Sequence, residues 1–233
     1  DMALLYSETP CNVAGTFTTN LVKAAPVKWD QKVVSQTKKA QAVVVNAGIA
    51  NACTGEEGMG YCLETAQKAG GMLKIPAEQV LVASTGVIGM QLPMDKICAG
   101  IEQMAPQLKG GIESGHEAAL AIMIGGMCKG SGMIHPNMCT MLSFVTTDAV
   151  ISQELLQKAL STDVQDTYNM ISVDGDTSTN DTCLLLANGR AGNTEITEKN
   201  DDYKAFCEAL NFVNETLAKE MAGDGEGATA LFE

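Results

Sequence analysis

Arginine is almost missing from this chain: Arg190 is the only one in 233 residues. A clamp of several arginines around a phosphate is thereby excluded, which leaves lysine or a helix N-terminus for that task. Positive charge as a whole is scarce, with 15 basic against 28 acidic residues and a net charge of −13. That balance disfavours nucleic acid and anionic membrane as partners, because both are held by cationic surfaces. Histidine is limited to His116 and His135, and no two cysteines form a CxxC pair, so a zinc cluster is not expected. Aromatic residues make up 4% of the chain, so the core must be filled by Val, Ile, Leu, Ala and thirteen Met. Six Pro beside 23 Gly describe a turn-rich globule and exclude a disordered or collagen-like chain. No apolar run is long enough to cross a bilayer.

Hydrophobic residues make up 45% of the sequence, enough for one large domain or two interlocked ones. Eight cysteines (11, 53, 62, 98, 128, 139, 183, 207) suggest a disulfide framework at first sight. A core this large needs no staples, so they read as reduced, mostly buried thiols of a cytoplasmic protein. The opening "DMALLYSE" reads as neither a signal peptide nor a native start. Charge is unevenly placed: residues 1–139 hold 10 basic and 11 acidic side chains, and residues 140–233 hold 5 and 17. The break falls at a threonine.

Strands and helices are interspersed along the chain, which predicts an α/β fold without internal repeats. "QAVVVNAG" (41–48), "EQVLVASTG" (78–86) and "TCLLLANG" (182–189) are apolar, β-branched or leucine-rich runs closed by polar turns, and predict buried strands. "GEEGMGYCLETAQKAG" (55–70) predicts a helix with acidic residues at its start and glycines at its end. "PMDKICAGIEQM", "EAALAIM" and "SQELLQKAL" predict three more. The last helix is expected over 202–221, with Asp202 as cap, Gly223 just beyond, and a core stripe of Phe206, Leu210, Val213, Leu217 and Met221. "VDGDTSTND" (173–181) alternates oxygen ligands like a calcium loop, but the sixth and twelfth positions are Thr179 and Leu185 where glycine and glutamate are needed. It is read as a polar turn.

The threonine at the charge break lies in "KGSGMIHPNMCTML" (129–142). A threonine hydroxyl is a poor nucleophile at neutral pH and needs a base. His135 is five residues away, no His/Asp pairing is evident, and "STGVIG" is not the GxSxG turn of an α/β-hydrolase. One arrangement needs no external base: cleavage of the bond before Thr140 makes its own α-amine the proton acceptor. Gly130, Gly132 and Pro136 supply the irregular backbone such a cleavage requires. The oxyanion that forms needs preorganised donors, and Thr85 with Gly86, closing the "VLVAS" strand, is a hydroxyl-plus-amide pair of that kind. On spacing alone, a threonine in this setting is more often a core residue, and a Thr-Gly pair more often a turn.

The motif, with "TTDA" (146–149) after it, resembles the ornithine acetyltransferase family, also called glutamate N-acetyltransferases. The likeness continues through "AGTFTTNLVKAAPV", "NAGIANACTG", "STGVIGMQLPMDKI", "SVDGDTSTNDT" and "GDGEGATALFE", in the family's order and over almost the whole chain. The resemblance implies self-cleavage between Cys139 and Thr140. It would give an α segment (1–139) and a β segment (from 140), interlocked in a layered α/β sandwich and assembled as an α2β2 heterotetramer. It implies that Thr140 carries the acetyl group, that Thr85 and Gly86 form the oxyanion hole, and that Lys129 and Glu226 bind substrate together with Thr140. The implied reaction, a step of arginine biosynthesis, moves acetyl from N2-acetyl-L-ornithine to L-glutamate by a ping-pong route. No cofactor or metal is implied, and some members also take acetyl-CoA as donor.

Three departures from the family pattern stand out. The family chain continues beyond Glu233, with further substrate contacts that have no counterpart here. Between Met123 and Ile124 the family has an additional stretch, including a substrate-binding threonine, so this junction is expected to join pieces that the family separates. Cys139 stands where alanine is common. Two readings compete with the transferase: a self-cleaving aminopeptidase or amidase with water as acceptor, and a binding protein in which Thr140 is silent.

Overall fold

The computed structural model describes residues 1–111, 113–114, 141–172 and 174–223. The fold is mixed α/β, and the chain divides into two compact units: Asp1–Pro10 with Val22–Cys128, and Cys11–Leu21 with Lys129–Glu233. Strand β1 (Met2–Phe17) contributes to both, and the strand order is β3-β2-β1-β5-β4.

In the first unit, β2 (Lys39–Ile49) and β3 (Val80–Val87) pair in parallel, from Ala42 opposite Val80 to Ile49 opposite Val87. Residues 40–46 and 80–86 are all buried, the near-continuous burial expected of parallel strands covered by helices. Helix α1 (Ala25–Lys32) opens with Pro26, whose fixed φ and missing N–H suit a first turn. Two consecutive residues of α1 then grip β3. The Trp29 indole N–H donates to the Val80 carbonyl at 2.9 Å, and the Val82 N–H donates to Asp30 Oδ1 at 2.9 Å.

Helix α2 (Gly55–Leu73) passes through Gly70 and Gly71 instead of ending there, and closes at Lys74 in the left-handed region (φ 59°). The Ile75 N–H donates to the Gly70 carbonyl at 3.0 Å, the six-to-one bond of a Schellman end. A Cβ on Gly70 would stand 2.7 Å from the Ile75 carbonyl, so the glycine admits the returning chain and does not terminate the helix. Helix α3 (Met94–Met104) starts after Pro93, as the sequence predicts, and buries Ile97 and Ile101.

Asp30 is fully buried, and its Oδ2 has no hydrogen-bond partner among the described residues. Burial pushes its carboxyl well above the ordinary range, against the smaller opposing effect of the Val82 hydrogen bond. The folded state therefore holds this proton more tightly than the unfolded chain, where an aspartate titrates near about 3.9. The stabilisation is complete below that value and is lost as pH rises through the folded pKa. In thermal melts from about pH 4 upward, the wild type is expected to lose stability relative to Asp30→Asn, which keeps the acceptor for Val82. Parallel curves would contradict this assignment.

In the second unit, residues 12–17 of β1 pair antiparallel with β5 (Thr182–Ala187), from Asn12 opposite Ala187 to Phe17 opposite Thr182. β5 pairs in parallel with β4 (Leu142–Thr147). Helix α4 (Gln153–Asp166) is capped by Ser152, whose hydroxyl accepts from the Leu155 N–H at 3.4 Å. Helix α5 (Asp201–Gly223) is capped by Asn200, which accepts from the Tyr203 N–H at 3.0 Å, and not by the expected Asp202, which lies in the first turn. Gly223, expected just beyond the helix, is itself helical.

The buried face of α5 is Tyr203, Leu210, Asn214 and Ala218; Phe206 and Met221 are partly buried, while Val213 and Leu217 face solvent. The expected stripe is thus rotated. A buried polar chain sets the rotation: Asn214 Nδ2 donates to Asp163 Oδ2 at 2.6 Å, and the Tyr168 hydroxyl donates to Asn214 Oδ1 at 3.1 Å. Ser143 of β4 lies 3.0 Å from the same hydroxyl. A fully satisfied network of this kind specifies one packing arrangement.

"EAALAIM" lies outside the described residues. Of the six described cysteines, all free, Cys11, Cys62 and Cys183 are buried, Cys98 and Cys207 are half-buried and Cys53 is exposed, so burial is less general than expected. Burial raises the Cys183 thiol to about 12. Among the described residues no helix is long and apolar enough to cross a membrane, and no cluster of three His, Cys, Asp or Glu is suited to a metal ion.

Candidate functional site

Thr85 and Gly86 stand at the C-terminal end of β3, opposite Ala47 and Gly48 of β2. The carboxyl ends of parallel strands are where open α/β sheets present ligand-binding groups. Thr85 is 7% exposed, and its hydroxyl makes no hydrogen bond to another described residue. Its neighbour Ser84 behaves otherwise: that hydroxyl donates to Asn46 Oδ1 at 2.6 Å, and Asn46 Nδ2 donates to the Ile49 carbonyl at 2.9 Å. Cross-strand bonding thus consumes Ser84 and fixes the end of β2, while the next hydroxyl stays available as a donor.

Gly86 cannot be another residue without distortion. Its φ is +130°, and a Cβ would stand 2.2 Å from the Gly48 carbonyl carbon and 2.4 Å from its oxygen. Glycine here permits two strand ends to approach closely, as sites that use backbone groups require.

The following loop is stiffly built. The Ala50 N–H donates to the Val87 carbonyl and the Gly89 N–H to the Ala52 carbonyl, each at 2.9 Å. Asn51, at φ 48°, is held by its side chain: Nδ2 donates to the Gly58 carbonyl at 3.0 Å and Oδ1 accepts from the Thr54 hydroxyl at 2.8 Å. A Cβ on Gly58 would meet Thr54 Oγ1 at 2.1 Å, so "NACTG" and the start of α2 interlock. Asn46, Asn51 and Thr54 carry no motif of their own; a polar residue closing an apolar run is the only signal they leave in the sequence.

Thr140, Cys139, Lys129 and Glu226 lie outside the described residues. What is described is the anchor just after the nucleophile candidate. Met141 is buried, its N–H donates to Asp181 Oδ1 at 3.2 Å, and its carbonyl accepts from the Thr182 N–H at 2.9 Å. Asp181 is fully buried, and its carbonyl accepts from the Thr18 N–H at 3.0 Å. The Thr18 hydroxyl donates to the Ser178 carbonyl at 2.6 Å, and Asn20 Nδ2 donates to the Thr177 carbonyl at 2.8 Å. The polar turn read over 173–181 is thus exposed at 174–176, where the Asp176 N–H donates to Asp174 Oδ1, and buried from Ser178 to Asp181. Asp181 was missed because a carboxylate in a polar turn reads as solvated.

The ArgJ family model matches this chain over residues 1–125 and 121–233. Against "Arginine biosynthesis bifunctional protein ArgJ" of Thermotoga neapolitana the chain is 48% identical over 252 residues, covering 100% of itself and 64% of that protein. Against "Arginine biosynthesis bifunctional protein ArgJ 1" of Clostridium acetobutylicum it is 50% identical over 252 residues, covering 62% of that protein. These alignments are longer than the 233-residue chain, so the relatives carry residues with no counterpart here. The two family-model matches meet at 121–125, across the Met123–Ile124 junction. Among solved structures, the crystal structure of ornithine acetyltransferase complexed with ornithine from Mycobacterium tuberculosis is 44% identical. It matches with a TM-score of 0.50, over 52% of this chain and 66% of that one. The chain spans somewhat less than two thirds of the length of these curated relatives.

Proposed function

This chain belongs to the ArgJ family, and on that premise we propose that it carries the acetyl-transfer site of a self-cleaving arginine-biosynthesis enzyme. Acetyl passes from N2-acetyl-L-ornithine to L-glutamate through an ester on Thr140. The observation that carries the reading is the Thr85–Gly86 pair: a buried hydroxyl that bonds to no other described residue, beside a glycine whose φ and packing admit no side chain, at the C-terminal end of a parallel strand.

Cleavage of the Cys139–Thr140 bond frees the Thr140 α-amine. In the first half-reaction the Thr140 hydroxyl oxygen bonds to the acetyl carbonyl carbon as the α-amine takes the hydroxyl proton. The tetrahedral oxyanion faces the Thr85 hydroxyl and the Gly86 N–H. It collapses with loss of the ornithine nitrogen, which receives the proton. In the second half-reaction the glutamate amine attacks the acetyl ester and regenerates the hydroxyl. Removing one oxyanion donor from such a site slows catalysis by about 10²- to 10³-fold. Lys129 supplies a cation for a substrate carboxylate, and Glu226 an anion for the ornithine ammonium. Acetyl-CoA is an alternative donor, and no metal or cofactor takes part.

The ladder between residues 12–17 and β5 joins chain from before the cleavage point to chain after it. That pairing supports segments that stay interlocked after cleavage, the unit that an α2β2 assembly would pair.

The test uses purified full-length protein. N-terminal sequencing is expected to find one fragment starting at Thr140, and ornithine release from N-acetylornithine is expected to depend on glutamate. Release indifferent to glutamate would favour the hydrolase reading. An intact chain that transfers acetyl would overturn the mechanism.

A further inference from the structure

The Met141–Asp181 contact lies next to the proposed nucleophile, and we infer that Asp181 is a positioning residue for Thr140. The inference rests on the reading of Thr140 above. Asp181 and Thr182 are consecutive, and together they take both backbone groups of Met141: Asp181 Oδ1 accepts the N–H at 3.2 Å, and the Thr182 N–H donates to the carbonyl at 2.9 Å. Asp181 is itself immobilised by burial and by its carbonyl's bond to Thr18, and Thr182 by its hydroxyl's bond to the Asn180 carbonyl at 3.0 Å. The grip closes over 40 residues of chain.

Only the N–Cα–C–N bonds separate the Thr140 α-nitrogen from the gripped Met141 nitrogen. A residue bonded at both its N–H and its carbonyl resists rotation of its peptide groups, and it is through this restraint on Met141 that Asp181 would act on Thr140. Both steps asked of Thr140, cleavage and acetyl transfer, depend on where its hydroxyl stands, and a misplacement of about 1 Å costs about 10²-fold. A side-chain acceptor is needed at this point because Met141 precedes β4, so the strand ladder does not take its N–H.

Two variants of the full-length protein test the inference, with cleavage followed on denaturing gels, kcat and KM measured on cleaved material, and melting temperature recorded. Asp181→Asn keeps an oxygen acceptor of the same shape and is expected to cleave and turn over within about tenfold of wild type, since charge assistance roughly doubles such a bond. Asp181→Leu leaves the buried Met141 N–H unsatisfied and is expected to slow cleavage and lower kcat by about 10- to 100-fold. KM should stay within about threefold. Asp181→Leu with wild-type cleavage and kcat overturns the inference. So does Asp181→Asn as impaired as a folded Asp181→Leu. If the leucine variant does not fold, the asparagine variant decides alone: failure to cleave at an unchanged melting temperature overturns it. A wild-type protein that never cleaves sinks the Thr140 reading itself, and is seen before either variant is made.

Discussion

Thr140→Ala is expected to leave the full-length chain whole on a denaturing gel and to lower acetyl transfer by about 10⁴-fold or more. Both losses have one cause. On the proposed mechanism, the hydroxyl that attacks the Cys139 carbonyl is the one that later accepts acetyl, and the α-amine that serves as base exists only once that bond is broken. Alanine removes the first, and through it the second. Thr140→Ser keeps the hydroxyl and is expected to retain cleavage, which separates loss of chemistry from loss of shape. The fold should be indifferent to either change, because β4 begins at Leu142 and Met141 is tied to residues 181 and 182 through its own backbone. Normal turnover by Thr140→Ala, measured as ornithine release, would remove the mechanism.

Gly86→Ala is expected to destabilise the protein by about 3–5 kcal/mol, combining left-side backbone strain with overpacking. The strain follows from φ +130° and the overpacking from a Cβ 2.2 Å from the Gly48 carbonyl carbon and 2.6 Å from the Ile49 nitrogen. These are backbone atoms of a strand paired along its length, so neither swings aside as a flexible side chain does. Against a typical total of about 5–15 kcal/mol, the loss is large. Two glycines serve as internal standards. Gly48→Ala carries only strain, because its φ is +112° but nothing lies within 4 Å of the new Cβ; its penalty should be the smaller, about 1–3 kcal/mol. Gly60→Ala, in an exposed turn of α2 with open space around it, should stabilise by about 0.5–1 kcal/mol. Melting temperatures ordered Gly60→Ala, wild type, Gly48→Ala, Gly86→Ala are the expected result, and a Gly86→Ala protein melting with Gly48→Ala would refute the clash.

The amino-acid order by itself determined those parts whose signal is local. β2, β3 and β5 are β-branched or leucine-rich apolar runs closed by polar turns, and "SQELLQKAL" carries its own cap in Ser152. Six motifs in one order identify the family, because each is a local string. Longer-range relations left no such mark. β1 mixes Ser7, Glu8, Thr9, Pro10 and Gly15 into a strand, and its place in the middle of the strand order comes from the neighbours that bond it. Periodicity marked an apolar stripe on α5 but not its rotation, which the buried Asp163–Asn214–Tyr168 chain decides. The close approach of Gly86 to Gly48, and the grip of Asp181 on Met141, join residues about 40 apart. A local propensity acts within a turn or two of chain, whereas contacts of this kind form only when the fold closes loops whose ends no short window contains.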